Sequence, residues 1–277
     1  MGRLLLRASE GIEVTPDTAG WRFISFRIET LDQGERIAHE PSPEEVVLVP
    51  LSGSARVETT EADWVFGGRQ SVFEGLPEVL YLPPFAGWTL TAESDLEIAV
   101  CGARSESRAH QPRLVTANDY AVEVRGAGNA TRRVVTPLSP GFDADKLIVV
   151  EVWTPAGNWS SYPPHKHDEM RPPDEVPLEE IFYYRTPKAD GFAVQRLYSP
   201  ERGFDETWAV HDGDLLLVPW GYHTTVAAPG HELYYLNVLA GETRDLSAYE
   251  DPAHSWVRDS WVGQEQDPRA AAVGPAG

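Results

Sequence analysis

The stretch HDGDLLLVPWGYHTTV, residues 211–226, decides the fold class. Its apolar run is short, with Asp and Gly before it and a Pro-x-Gly turn after it, which reads as a buried strand rather than a helix. His223 follows the turn and opens the next β-forming run. The same grammar recurs in EVVLVPL (45–51), EVLYLPP (78–84), LEIAVCG (96–102), KLIVVEVW (146–153), EIFYYRT (180–186), FAVQRLY (192–198) and ELYYLNVLA (232–240). Helical periodicity is scarce. Many short strands separated by turn residues predict an all-β protein built as a sandwich or closed barrel.

The stretch EGLPEVLYLPPFAGWTL (74–90) has the form of 211–226, a glycine, an apolar strand, then proline. The chain therefore reads as two diverged copies of one unit, over 1–125 and 126–262, followed by a flexible Ala/Gly/Pro-rich tail over 263–277. The first copy has no histidine after its proline turn and no H-x-H, so it is expected to be metal-free. RGAGNATRR (125–133) resembles a dinucleotide loop on the surface. Thr131 stands where the third small residue belongs and no βαβ pattern follows, so it reads as a structural turn.

Composition narrows the function. With 23 Lys+Arg against 43 Asp+Glu, the formal charge is −20, and no basic footprint for nucleic acid is present. An anionic substrate would be repelled at long range and needs local positive charge. Cys101, the single cysteine, rules out an intrachain disulfide and fits a reducing compartment. MGRLLLRASEG is too short in apolar residues for a leader or a membrane span. The expectation is a cytoplasmic protein with a small-molecule ligand, no nucleic-acid or membrane partner, and room for a homo-oligomer.

The second copy holds metal-ligand spacing: His165 and His167 in PPHKHDEM, Glu180 in PLEEIFYY and His223 in VPWGYHTT. On a strand, H-x-H puts both imidazoles on one face. Glu180 shares parity with Phe182 and Tyr184, whereas Glu179 shares it with Ile181 and Tyr183, so Glu180 is the expected ligand. Three imidazoles and a carboxylate suit Zn, Mn, Fe, Ni or Co, with open positions for substrate oxygens. Tyr184, Gln195, Arg196, Tyr222, Tyr235 and Asn237 could contact a sugar-like ligand.

The pairs HKH…E and G-(x5)-P-x-G-x-H resemble the two cupin motifs. They depart from them in twelve residues between His167 and Glu180, and in one between Gly221 and His223. Together with EEIFYYR, GFAVQRLY, VPWGYHTTVAAPG, YYLNVLAG and RGAGNATRRV, the chain resembles the 5-deoxy-glucuronate isomerase family of inositol catabolism. That family is related to the pectin-pathway uronate isomerase. The resemblance implies a bicupin fold of two tandem jelly-roll barrels. It also implies a metal-dependent aldose–ketose isomerisation of 5-deoxy-D-glucuronate to 5-dehydro-2-deoxy-D-gluconate. Such chemistry needs a base at C2, for which Glu179, Asp168, Glu169 and a metal-held hydroxide are candidates, with Tyr184 close by. A hydride shift would need none. The substrate carboxylate would pair with Arg185 or Arg196; Lys166 points away from its flanking histidines. An Fe(II) cupin dioxygenase and a non-catalytic sugar-sensing cupin are the alternatives.

Overall fold

The computed structural model describes residues 3–107 and 109–271, and they are dominated by β-strands. The α-helices among the described residues, Pro16–Ala19 and Val257–Ser260, are single turns. The chain forms two compact units. The N-terminal unit takes residues 12–121 and 136–148, and the C-terminal unit takes 3–11, 122–135 and 149–271. One cut at 125/126 does not describe this division, which falls within the strands Arg132–Leu138 and Leu147–Thr154.

Local chemistry explains the interleaving. The leucines near the start form the two-residue strand Leu5–Leu6, antiparallel to Leu215–Val218 of the C-terminal unit. The contact is pinned by Arg7, which donates to the buried Asp214 carboxylate at 2.6 Å. Residues 145–147 stay with the N-terminal unit because Glu45, fully buried, must fill its carboxylate with donors. It accepts from the backbone N–H groups of Asp145, Lys146 and Leu147 at 2.9, 2.6 and 2.7 Å and from the Tyr81 hydroxyl at 2.8 Å.

The spine of the N-terminal unit is the strand Glu44–Glu58. Its first half pairs with Leu96–Arg104 and Val79–Leu82, and its second half with Asp63–Arg69 and Trp88–Ala92. The change of partners falls at Pro50–Ser54, where both ladders shift register. Gly53 has φ 78°, and a Cβ there would lie 2.1 Å from the Asp95 carbonyl oxygen, so only glycine turns this corner. The interior is filled by Leu48, Val57, Phe66, Leu82, Trp88, Leu90 and Ile98, all buried.

The C-terminal unit has two sheets. One runs in the order Leu5–Leu6, Leu215–Val218, Glu179–Arg185, Leu233–Ala240, Leu147–Thr154, Arg132–Leu138, Val122–Arg125. The other runs Phe204–His211, Phe192–Ser199, Tyr222–Ala227, Trp159–Lys166, Tyr249–Glu250. This is the jelly-roll architecture of a double cupin. The segment expected as a flexible tail begins with residues held by side-chain bonds. Gln266 Nε2 donates to the Val124 carbonyl at 2.8 Å, and Asn158 Nδ2 donates to Asp267 at 3.0 Å. Residues 272–277 of that tail lie outside the described residues.

Candidate metal centre

Both sheets of the C-terminal unit supply the site. His165 lies on Trp159–Lys166, directly opposite His223 on Tyr222–Ala227, and His167 follows two residues on. Glu180 sits second in Glu179–Arg185, between Val218 and Leu239. Alternation does the sorting: Glu180 is buried at the site, and Glu179 is only partly buried.

The twelve-residue insert does not displace Glu180, because its ends are clipped together. The Leu178 N–H donates to the His167 carbonyl at 2.9 Å, and His167 Nδ1 lies 3.1 Å from the Leu178 carbonyl. Within the insert, buried Glu175 accepts from Asp168 N, Glu169 N and Lys166 Nζ at 2.8, 3.0 and 3.0 Å, and also from Arg171. Lys166 thus points away from the histidines into a cluster of acids, as alternation requires.

The hydrogen bonds fix the imidazole tautomers. His165 Nδ1 faces the Pro163 carbonyl at 3.2 Å, His167 Nδ1 that of Leu178 at 3.1 Å, and His223 Nδ1 that of Gly221 at 3.2 Å. A carbonyl only accepts, so each Nδ1 carries a hydrogen, and each neutral ring turns its Nε2 lone pair toward the site. Those lone pairs converge: Glu180 Oε2 lies 2.7 Å from His167 Nε2 and 3.1 Å from His223 Nε2. His223 Nε2 is buried and has no hydrogen-bond partner despite that approach. Lone pairs gathered around a carboxylate oxygen repel unless a proton or a cation lies between them. Cis ligands about 2.1 Å from one ion stand about 3.0 Å apart, which these separations match. The residues fit a metal ion, and His167, Glu180 and His223 form the compact donor group among the described residues.

Electrostatics differ from one ring to the next: burial works to lower His167, but the Glu180 carboxylate beside it outweighs burial and raises it above the ordinary imidazole range. Burial pushes His165 down to about 3, aided by His223 and His167, so its imidazole is neutral and ready to ligate. Burial alone would raise the Glu180 carboxyl, but His223 and His167 outweigh it and hold it below the usual range. The His165 ring centroid is 4.6 Å from that of His223 and 6.4 Å from that of His167, which puts it beside the donor group rather than inside it.

The group opens into a cleft of about 130 Å³. Its polar wall includes Ser161, His165, His167, Glu180, Tyr235 and Asn237 with two arginines, Arg125 and Arg132. Its apolar wall includes Val134, Val150, Val152 and Leu239. Of the expected contact residues, Tyr235 and Asn237 therefore line the cleft, and Tyr184, Gln195, Tyr222, Arg185 and Arg196 do not. The reasons are specific. Tyr184 is buried behind the cleft and donates to Gln195 Oε1 at 2.9 Å. Arg185 Nε donates to Asp212 at 2.9 Å, and Arg196 holds Asp205 through Nε and Nη2 at 2.8 and 2.7 Å. Tyr222 packs on Tyr198 with ring centroids 5.4 Å apart.

The expected bases Glu179 and Asp168 are also absent from the cleft wall. Asp168 is a strut. One oxygen takes Lys166 Nζ and the other accepts the Gly221 N–H at 2.9 Å, which ties the first histidine motif to the turn carrying His223. Gly221 has φ 89°, and a Cβ there would lie 2.8 Å from the Tyr198 carbonyl oxygen. The two arginines were missed. Their signal was present in the sequence, because they bracket the glycine-rich turn 126–131.

The chain matches the KduI/IolB family over residues 5–257. It is 43% identical over 257 residues to the 5-deoxy-glucuronate isomerase of Geobacillus kaustophilus, covering 92% of this chain and 93% of that one. To the 5-deoxy-glucuronate isomerase of Bacillus subtilis it is 38% identical over 249 residues, covering 88% and 91%. Among solved structures, an IolB-like protein from Salmonella typhimurium matches with a TM-score of 0.89 at 36% identity, covering 93% of this chain and all of that one. Oxalate decarboxylase from Lactobacillus farciminis matches with a TM-score of 0.67 at 12% identity over 90% and 89% of the two chains, a likeness of cupin fold alone. With nearly the whole chain matched and the donor group built on both sheets of one barrel, the protein belongs to the KduI/IolB family.

Proposed function

We propose that this protein is a metal-dependent aldose–ketose isomerase of inositol catabolism. It converts 5-deoxy-D-glucuronate to 5-dehydro-2-deoxy-D-gluconate in the cytoplasm. The observation that carries the reading is the convergence of imidazole lone pairs on Glu180 at the cleft, in a chain 43% identical to a protein of that name. His167, Glu180 and His223 would hold one divalent ion, with His165 completing the set. When bound, the ion polarises a carbonyl and stabilises negative charge on two adjacent oxygens.

The chain's own groups do the rest. Burial, first of all, raises the Tyr235 hydroxyl above the usual phenol range, so it is a proton donor at neutral pH. It meets Ser160 Oγ at 2.7 Å and Ser161 Oγ at 3.3 Å, and Tyr235 and Ser161 both line the cleft. This hydroxyl pair would carry the proton exchanged between the substrate's O1 and O2, a transfer that both the enediol route and the hydride-shift route require. Asn237 is anchored through Nδ2 to the Ile181 carbonyl at 2.8 Å, and its Oδ1 can accept from a substrate hydroxyl. The valines and Leu239 exclude water around the reacting carbons.

The test is proton NMR of 5-deoxy-D-glucuronate with the metal-loaded protein. Reversible conversion to the ketose is expected with no redox cofactor and no oxygen uptake. Deuterium from D2O at the former aldehyde carbon would indicate the enediol route, and full retention the hydride shift. A metal-loaded protein that isomerises no uronate overturns the proposal.

A further inference from the structure

The glycine-rich stretch 125–133 is a hairpin turn, and its function lies in what it brackets. Val122–Arg125 and Arg132–Leu138 run antiparallel, with Arg125 directly opposite Arg132. Both arginines line the same cleft as His165, His167 and Glu180. Like charges directly opposite on a strand pair are destabilising, so the placement carries a cost.

Arg132 shows that cost most clearly. Its side chain is partly buried, and its hydrogen bond is to a neutral acceptor, Nη1 donating to the Ala130 carbonyl at 3.2 Å. Among the described residues it has no carboxylate partner. Burial holds it below the ordinary guanidinium range, with Arg125 and Arg258 adding to that effect and Tyr235 and Glu250 opposing it. Glu250, the acid named there, is claimed by Arg258, whose Nε donates to it at 2.6 Å. Arg125 gives Nε to Glu123 at 2.9 Å, which leaves its terminal nitrogens available. Every other arginine suggested by the sequence for an anion, Arg185 and Arg196, is held by an aspartate.

We infer that Arg132, with Arg125 across the hairpin, is the subsite that binds the substrate's carboxylate. The inference rests on the uronate-isomerase reading and gives it an orientation: acid end at the hairpin, C1 and C2 at the histidines and Glu180. A planar guanidinium fork matches a carboxylate in two parallel hydrogen bonds, and a second cation opposite adds to the local attraction. The ligand's negative charge then relieves the repulsion between the arginines. The arginine pair in turn offsets the long-range repulsion that an anion meets from a chain with formal charge −20. The cleft would separate uronates from neutral aldoses at this end, four bonds from C2.

The test needs no turnover. The probe is 5-deoxy-glucuronate reduced at C1, which keeps the carboxylate and has no carbonyl to isomerise. Its C6 amide is the neutral control. Calorimetric titration of the metal-loaded protein is expected to show the acid bound at least about tenfold more tightly than the amide. Arg132→Gln should erase that preference, weakening the acid about ten- to a hundredfold with the amide and the metal content unchanged. Arg125→Gln, at an exposed position whose loss cannot unfold the barrel, should weaken the acid by a smaller factor. Arg132→Lys should recover part of the loss.

Equal affinity for acid and amide in the unchanged protein overturns the subsite, as does an Arg132→Gln protein that keeps the preference. So does a protein that binds neither probe. Binding with the expected preference in a protein that isomerises no uronate would sink the catalytic reading and leave the subsite standing.

Discussion

The two barrels use one device for opposite ends. In the N-terminal unit the buried strand Val79–Leu82 runs through a proline turn into Trp88–Ala92. In the C-terminal unit Leu215–Val218 runs through a proline turn into Tyr222–Ala227. Both turns pass through the left-handed region, at Phe85 with φ 64° and at Gly221 with φ 89°. The first delivers Trp88 into an apolar interior, where its ring stacks on His39 at 5.1 Å. The second delivers His223 beside Glu180. A barrel interior is thus either filled by side chains or kept polar and open. The choice is made by a few inward positions and not by the backbone path.

The largest effect should come from emptying the polar interior. His165→Ala combined with His167→Ala is expected to abolish metal binding and lower kcat/KM by more than about a thousandfold, with the circular dichroism spectrum retained. Full metal occupancy measured by mass spectrometry in that variant would break the comparison. The matching change in the other barrel should act on stability alone. Trp88→Ala is expected to cost about 3–5 kcal/mol in urea unfolding while metal content stays the same. Trp88→His should create no metal site, because beyond the neighbouring His39 the cluster around it is Leu48, Leu90 and similar side chains, which offer no further ligand. A metal bound by that variant would show the apolar barrel to be a dormant site.

Smaller effects sharpen the picture within the C-terminal unit. Asp168→Asn should weaken metal affinity about ten- to a hundredfold, since Asp168 touches no ligand but anchors the Gly221 turn that orients His223. A catalytic base at Asp168 would instead lower kcat with metal affinity intact, so equilibrium dialysis against a chelator separates the two. Tyr235→Phe should lower kcat about tenfold or more, and Tyr184→Phe should leave it within about twofold. The smallest effects belong to Arg185→Gln and Arg196→Gln. Each arginine serves a partly exposed ion pair, and the expected loss is about 0–1 kcal/mol of stability with unchanged turnover.

The sequence carried a great deal of this protein. Strand alternation sorted Glu180 from Glu179 and turned Lys166 away from its flanking histidines, because side-chain period is a local property of the backbone. The proline turns marked both barrels, and H-x-H with a later Glu and His marked the donor group. Tertiary structure decided what depends on distant partners. The two-leucine strand near the start joins the C-terminal barrel only because Leu215 and Leu216 offer it an edge. Asp168, Tyr184, Arg185 and Arg196 look available in sequence, and each is claimed by a partner that no spacing announces. Arg125 and Arg132 look like the ends of a turn and become a cationic pair in the cleft, because antiparallel register sets them opposite one another. Residue type and period are written locally; whether a charge is already satisfied is a fact about the whole fold.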